Sequence, residues 1–242
     1  MYERLNNNIQ LNYDTKKLGQ IFMFILISIL IISLTLILSL MFPNNDVEIN
    51  KSKYKINAIK NEKIKNFEIF KVSFNSTLRL PNYVLYNFNS KGSRCSSNYC
   101  RKDEYLNTRT YNSFTNTKFD RGHLMPATFT NRSCITFNMA NIVPQIHCFN
   151  AGTWLGLENY VRNTFLGQNI LTVPEYDNEH FISDQYDEPL AIPIGFYEIV
   201  FDDNYENILF SVYINHTEKV CGKNFREVGN FDKLPYFISY EK

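Results

Sequence analysis

At 242 residues, 44% hydrophobic and 15% aromatic, the chain is not too polar to build a real core, as one large domain or two small ones. Its net charge of +1 excludes a global electrostatic attraction to nucleic acid or to a membrane surface. The charge is unevenly spread, however: residues 79–132 carry nine Lys/Arg against three Asp/Glu, and residues 163–242 carry five against fourteen. A local basic face attracts phosphates, and two ordinary solvated surfaces account for the same pattern.

Residues 1–20 read as a short polar tail. The 22 residues that follow, 21–42, contain no charge, Gly or Pro. As a helix at ~1.5 Å per residue they extend roughly 33 Å, enough for a hydrocarbon core of ~30 Å. The run is longer than a signal-peptide core, and "SLMFPNN" is a poor cleavage site, so a retained transmembrane anchor is expected. Lys16 and Lys17 precede the span and all five cysteines follow it, which points to a domain on the lumenal or extracellular side. Secretion after cleavage and the mitochondrial intermembrane space are the other placements. The latter is opposed by Glu3, Asp14 and a single Arg in the first 20 residues. Residues 43–65 lack apolar periodicity and read as a stalk, leaving one domain over 66–242.

Within that domain, 77–88 reads as an aromatic-rich strand, with Pro81 favouring an edge or a strand start. Residues 134–143 read as a strand with Ile135, Phe137 and Met139 on one face. The segment 153–165 places Trp154, Leu157, Val161 and Phe165 at helical steps, giving a helix with one buried stripe. Further strands are expected over 189–201 and 207–215, making the class α+β. Five cysteines leave one thiol unpaired if disulfides form. Cys95–Cys100 and Cys134–Cys148 are plausible pairs, and reduced buried thiols are the alternative. Sequons at Asn75, Asn131 and Asn215 permit glycosylation in an Asn-rich chain.

The chemistry-bearing residues cluster between 120 and 162. His123 lies in "DRGH" beside Asp120 and Arg121. Asn141 precedes "IVPQ", Asn150 lies just ahead of the helix, and Glu158 and Arg162 are one helical turn apart on it. Each has a plain reading too: a turn with a local ion pair, a helix cap, a surface i,i+4 pair. His147 and His216 have no such company and read as ordinary, and His180 reads as a loop residue. The aromatics Tyr111, Phe114, Phe119 and Phe129 fit core packing better than base stacking.

Taken together, "DRGHLMPA" at 120–127, "NIVPQ" at 141–145, then Asn150, Trp154, Glu158 and Arg162, resemble the DNA/RNA non-specific endonuclease family, whose members include endonuclease G, and "TFNMANIVPQIHCFNAGTW" is most similar to the endonuclease-domain-containing-1 type. The resemblance implies a ββα-metal nuclease fold with a central antiparallel sheet flanked by helices. It implies a largely sequence-non-specific, metal-dependent endonuclease acting on DNA and RNA. It carries over His123 as general base, Asn150 as the direct ligand of Mg²⁺ (or Mn²⁺ or another divalent cation) and Glu158 as an orienter of the ion's waters. Arg121 and Arg162 would hold phosphate, and Asn141 would support the site. Two features depart from the family pattern: "ILTVPEYD" has no Gly, and Glu198 stands where a Lys often occurs. Expected partners are DNA and RNA, the membrane through 21–42, and a second copy of the chain. The competing reading is a catalytically inactive nuclease-fold ectodomain acting as a membrane-anchored binding protein.

Overall fold

The computed structural model describes residues 54–240, apart from 94, 97, 98 and 178. The expected span 21–42 lies outside the described residues, among which no helix is long and apolar enough to cross a membrane.

Twelve strands are described: β1 Tyr54–Ile56, β2 Glu62–Asn66, β3 Lys71–Asn75, β4 Leu80–Asn87, β5 Phe119–His123, β6 Ile142–Ile146, β7 Asn169–Glu175, β8 Phe181–Ser183, β9 Pro189–Ala191, β10 Gly195–Phe201, β11 Ile208–Asn215 and β12 Ile238–Tyr240. Six of them form one antiparallel sheet in the order β11-β10-β7-β4-β3-β2. Strand alternation sends side chains to two faces. Val72, Val84, Tyr86, Ile170, Phe196, Val200 and Val212 face one core, and Tyr83, Leu171, Val173, Tyr197 and Ile199 face another.

Helix α1, Leu155–Thr164, covers the first face with Trp154, Leu157 and Val161, as the helical spacing predicts. A short second helix, α2 at Phe225–Val228, contributes Phe225 to the same core. The helices expected to flank the sheet thus both lie on this one face. On the other face Tyr54, Ile56, Phe237 and Ile238 of the β1–β12 pairing region supply the cover.

That cover also moves the domain boundary. The segment read as a stalk contributes β1, which pairs with β12, and β2, the edge strand beside β3. Neither shows strong periodicity. β2 is an edge strand whose inner neighbour supplies the backbone pairing, and Lys63 and Lys65 keep its outer side polar. Pro81 does stand near a strand start, but β4 is interior. Pairing with β7 begins only at Val84, and the ladder with β3 is bulged at Asn82, next to Pro81, where a missing N–H is tolerated.

Three further expectations change. Residues 134–143 are mostly not strand: 3-10 turns occupy Ser133–Ile135 and Met139–Asn141. Local bonds from the Thr136 hydroxyl to the Ser133 carbonyl and from the Ala140 N–H to the Asn138 side chain compete with a ladder there. The stretch 189–201 splits into β9 and β10 across Pro193, which cannot donate to a ladder. The disulfides are Cys95–Cys134 and Cys148–Cys221, leaving Cys100 as the buried free thiol. Both bonds close long loops, of 39 and 73 residues, which sequence spacing does not reveal.

Candidate active site

β5 and β6 form a separate antiparallel ribbon in which Asp120 pairs with Gln145 and His123 with Ile142. Gly122 is required there. A β-carbon on it would lie 2.2 Å from the Gln145 Oε1, because that buried side chain crosses over the glycine. After β6 the chain enters a π-helical turn, Phe149–Trp154, and then α1. The turn carries Asn150, and wide π turns of this kind recur at functional sites. It is fastened from outside: Cys148 is bonded to Cys221, and the Thr153 hydroxyl donates to the Val220 carbonyl at 2.6 Å.

The ribbon, the π turn and α1 enclose a cleft of about 480 Å³ lined by Asp120, Arg121, His123, His147, Asn150 and Glu158, with Phe137 and Cys100 among the wall residues. Four of the six residues expected from sequence thus share one space. The His123 ring meets Phe137 edge-on at 4.7 Å between centroids, which restricts its tilt. Asn141 is fully buried behind it. Its side chain accepts from the Met125 N–H at 2.8 Å and donates to the Met125 and Thr136 carbonyls at 3.0 Å. Those bonds fix the chain where it leaves His123.

Arg162 is not in the cleft. Its guanidinium donates to the Gly92 carbonyl at 3.4 Å, and no ion pair joins it to Glu158 among the described residues. Arg162 lies one helical turn beyond Glu158, in the last turn of α1.

Asp120 has a role that the sequence motif does not state. Its Oδ2 accepts from the Asn150 side-chain N–H at 2.9 Å and meets the His147 Nδ1 at 2.9 Å. The Asn150 amide is therefore oriented, with Nδ2 committed to Asp120. Its Oδ1 takes no hydrogen bond among the described residues. His147, read as ordinary, belongs to this group. Two residues beyond the Asp120–Gln145 pair, it is placed by β-ribbon register, a contact invisible in the linear sequence.

His216 also proves far from ordinary, in a structural sense. It is buried, donates from Nδ1 to the Pro193 carbonyl at 2.7 Å and accepts at Nε2 from the Ile146 N–H at 2.7 Å. Burial lowers its pKa to about 4, so the ring is neutral and clamps the end of β6.

Burial pushes the Glu158 carboxyl up to about 8, with the Trp154 side chain acting in the opposite direction. Glu198, on the inner face of β10, is also pushed up to about 8, chiefly by burial, and accepts from the Thr172 hydroxyl at 2.7 Å. Its departure from the expected Lys thus places a proton-holding group in the core rather than a negative charge on the substrate side. Of the aromatics near the motif, Phe114 and Phe129 are buried as expected, but Tyr111 is only partly so and carries the Arg121 guanidinium 3.6 Å from its ring centroid.

Asn150, Glu158 and Asp120 line the same cleft, and side-chain oxygens of these types suit a hard cation that retains much of its water. No cluster of three or more His, Cys, Asp or Glu occurs among the described residues, so a many-carboxylate cage is not the arrangement present there.

Comparison with known proteins gives a consistent family assignment. The model of the DNA/RNA non-specific endonuclease family matches residues 48–232. A salivary endonuclease of Lutzomyia longipalpis is 31% identical over 143 residues, covering 50% of this chain and 34% of the relative. The aligned part is thus about a third of that relative's length. A chain of the solved EndoG/EndoGI complex aligns with a TM-score of 0.51 at 17% identity, over 64% of this chain and 74% of that one. At that identity the likeness concerns the fold.

Proposed function

The chain belongs to the DNA/RNA non-specific endonuclease family, and from that membership we propose that it hydrolyses phosphodiester bonds in DNA and RNA with little regard for base sequence. The observation carrying this reading is that His123, Arg121, Asn150 and Glu158 line one cleft, with Asp120 orienting the Asn150 amide. Asn150 Oδ1 would hold a divalent cation, Mg²⁺ being the best match to a hard, largely hydrated oxygen site. When bound, such an ion supplies positive charge against the oxygens of the substrate phosphate.

The residues of the chain do the rest. Arg121 presents a planar guanidinium that matches two phosphate oxygens, and its stacking on Tyr111 limits the orientations it can take. His123 removes a proton from the attacking water, the task suited to an imidazole at neutral pH. Glu158 would orient water beside a bound cation, whose positive charge would favour the ionised carboxylate that burial disfavours. Asn141 keeps Leu124 and Met125, and so His123, in place. Contacts to phosphate and sugar would position the substrate without reading base sequence.

We place this domain on the lumenal or extracellular side of a membrane anchor at 21–42. The paired cysteines support that, since such bonds persist in oxidising compartments. The test is to produce the full chain in an oxidising host and incubate it with plasmid and with RNA, with Mg²⁺ or chelator, beside His123→Ala. Expected is cleavage that chelator abolishes and that falls by about 10²–10⁴-fold in the variant. Metal-independent cutting, or equal activity of His123→Ala, overturns the mechanism. No cutting of either polymer under any metal favours the inactive binding ectodomain.

A further inference from the structure

Beyond the α1 rim of the cleft lies a second hollow. Ala151 and Leu155 line the cleft, while their chain neighbours Gly152 and Gly156 line an open depression of about 490 Å³ together with Tyr160, Lys223, Phe225 and Arg226. A helix with its side chains is ~10–12 Å across, so little more than one helix width separates the two. The far wall is fastened to the turn that carries Asn150. Cys221 is bonded to Cys148, the Thr153 hydroxyl donates to the Val220 carbonyl, and a β-carbon on Gly152 would stand 3.3 Å from the Gly222 nitrogen. Lys223 follows directly on that segment.

Charge here runs against its surroundings. The acidic stretch 163–242 holds five Lys/Arg, and Lys219, Lys223 and Arg226 are three of them. Lys223 and Arg226, the two that line the hollow, are exposed and join no ion pair among the described residues. Glu218 and Glu227 are exposed on the same segment and leave it a surplus of one positive charge. The Arg226 guanidinium carbon lies 4.6 Å from the Tyr160 ring centroid. Its plane is thus held by a ring, and its donor edge is left for an oxyanion. Gly156 adds a separate observation. It is exposed in α1, and nothing lies within 4 Å of where its β-carbon would stand. Packing therefore asks for no glycine, although glycine costs a helix ~1 kcal/mol relative to alanine. The missing side chain leaves a low crossing between cleft and hollow, where a polymer backbone can approach the helix closely.

We propose that this strip, from the cleft across Gly156 to Lys223 and Arg226, carries the sugar–phosphate backbone of the substrate beyond the scissile phosphate. This rests on the nuclease reading and specifies its substrate as a polymer several nucleotides long rather than a lone phosphodiester. Lys223 supplies a point charge to one phosphate and Arg226 a two-pronged donor to another. Both contacts are to the backbone, so the strip adds affinity without sequence preference. It holds ground state and transition state alike, and its loss therefore appears in KM rather than kcat.

The test uses the full chain. Binding of a fluorescein-labelled oligothymidylate of about 16 nucleotides is read by anisotropy in a His123→Ala background, which keeps the strand intact. Cleavage of plasmid and RNA is followed separately with Mg²⁺ in protein that retains His123. The first variant joins Lys223→Gln to Arg226→Gln, glutamine keeping a planar group over Tyr160. Its slope of log affinity against log salt should be shallower by about 1.4, at ~0.7 for each single-strand phosphate contact. Between about 50 and 200 mM salt its affinity then falls about sevenfold less than that of the parent. Its KM for plasmid and RNA should rise with kcat unchanged. The second pair keeps both cations: Gly156→Glu should raise KM and Gly156→Lys lower it, and both should melt no lower than wild type because either residue favours a helix over glycine. Wild-type cleavage with an unchanged salt slope and KM in the glutamine variant, a loss confined to kcat, or the same KM shift in Gly156→Glu and Gly156→Lys overturns the strip alone. A wild-type protein that neither binds nor cuts any nucleic acid overturns the nuclease reading and the strip with it.

Discussion

Acidification acts on this fold through His216. In the folded protein Nε2 accepts from the Ile146 N–H, so a second ring proton would face another donor. Burial lowers the pKa from 6.5 to about 4. The unfolded chain therefore takes up a proton below ~6.5 that the folded chain refuses. The resulting stabilisation is complete above the unfolded value and is lost as pH falls towards the folded value. At ~1.4 kcal/mol per pKa unit the whole effect is roughly 3 kcal/mol, of which about 2 kcal/mol is gone by pH 5. The assay is urea denaturation, disulfides intact, at pH 7.5 and pH 5.0 for the wild type and for His216→Phe. The variant retains a ring against Phe149 and Phe196 but loses both polar contacts. It should be less stable at pH 7.5, and its further loss on going to pH 5.0 should be smaller than that of the wild type by about 2 kcal/mol. Other titrating groups are common to both proteins and cancel in the difference. Because Ile146 is followed by His147, Cys148 and the Asn150 turn, nuclease activity should fall over the same pH range. Equal pH dependence in the two proteins would refute the assignment of a neutral clamp.

Three other perturbations probe the site. Asp120→Asn leaves Asn150 and His147 without their shared carboxylate acceptor, so Mg²⁺ affinity by calorimetry should weaken by ~10–100-fold with little change in melting temperature. Gly122→Ala forces a β-carbon to 2.3 Å from the Gln145 Cδ, and thermal denaturation should show a loss of about 1–3 kcal/mol that Gln145→Ala largely relieves. Replacing Cys148 and Cys221 by Ser frees a loop of 73 residues, a loss of ~4 kcal/mol in the chain-entropy model, measured by guanidinium denaturation. Since that bond anchors the Asn150 turn, activity should decline more than when Cys95 and Cys134 are replaced.

The helix stripe of Trp154, Leu157 and Val161 was legible because a buried face imposes its period on neighbouring residues. So were the strands around β4, β10 and β11, each an apolar run bounded by turn residues. The segment 134–143 misled because the polar positions of its alternation, Thr136 and Asn138, have side chains that bond locally and favour turns. β1 and β2 escaped notice because their stability comes from partners elsewhere: β12 lies at the far end of the chain, and β3 supplies the ladder for β2.

By itself the sequence determined which chemistry was available: an imidazole, an amide, carboxylates and arginines spaced across 120–162 in the pattern of a nuclease family. It also determined the helix that carries Glu158. Only the tertiary structure decided that Asp120 orients Asn150, that His147 joins it, that Arg162 stands outside the cleft, and which cysteines meet. Local pattern reports the environment of one element's face. Strand register, cross-links and the far end of a long side chain depend on residues brought together by folding, and their separations in space leave no period in the chain.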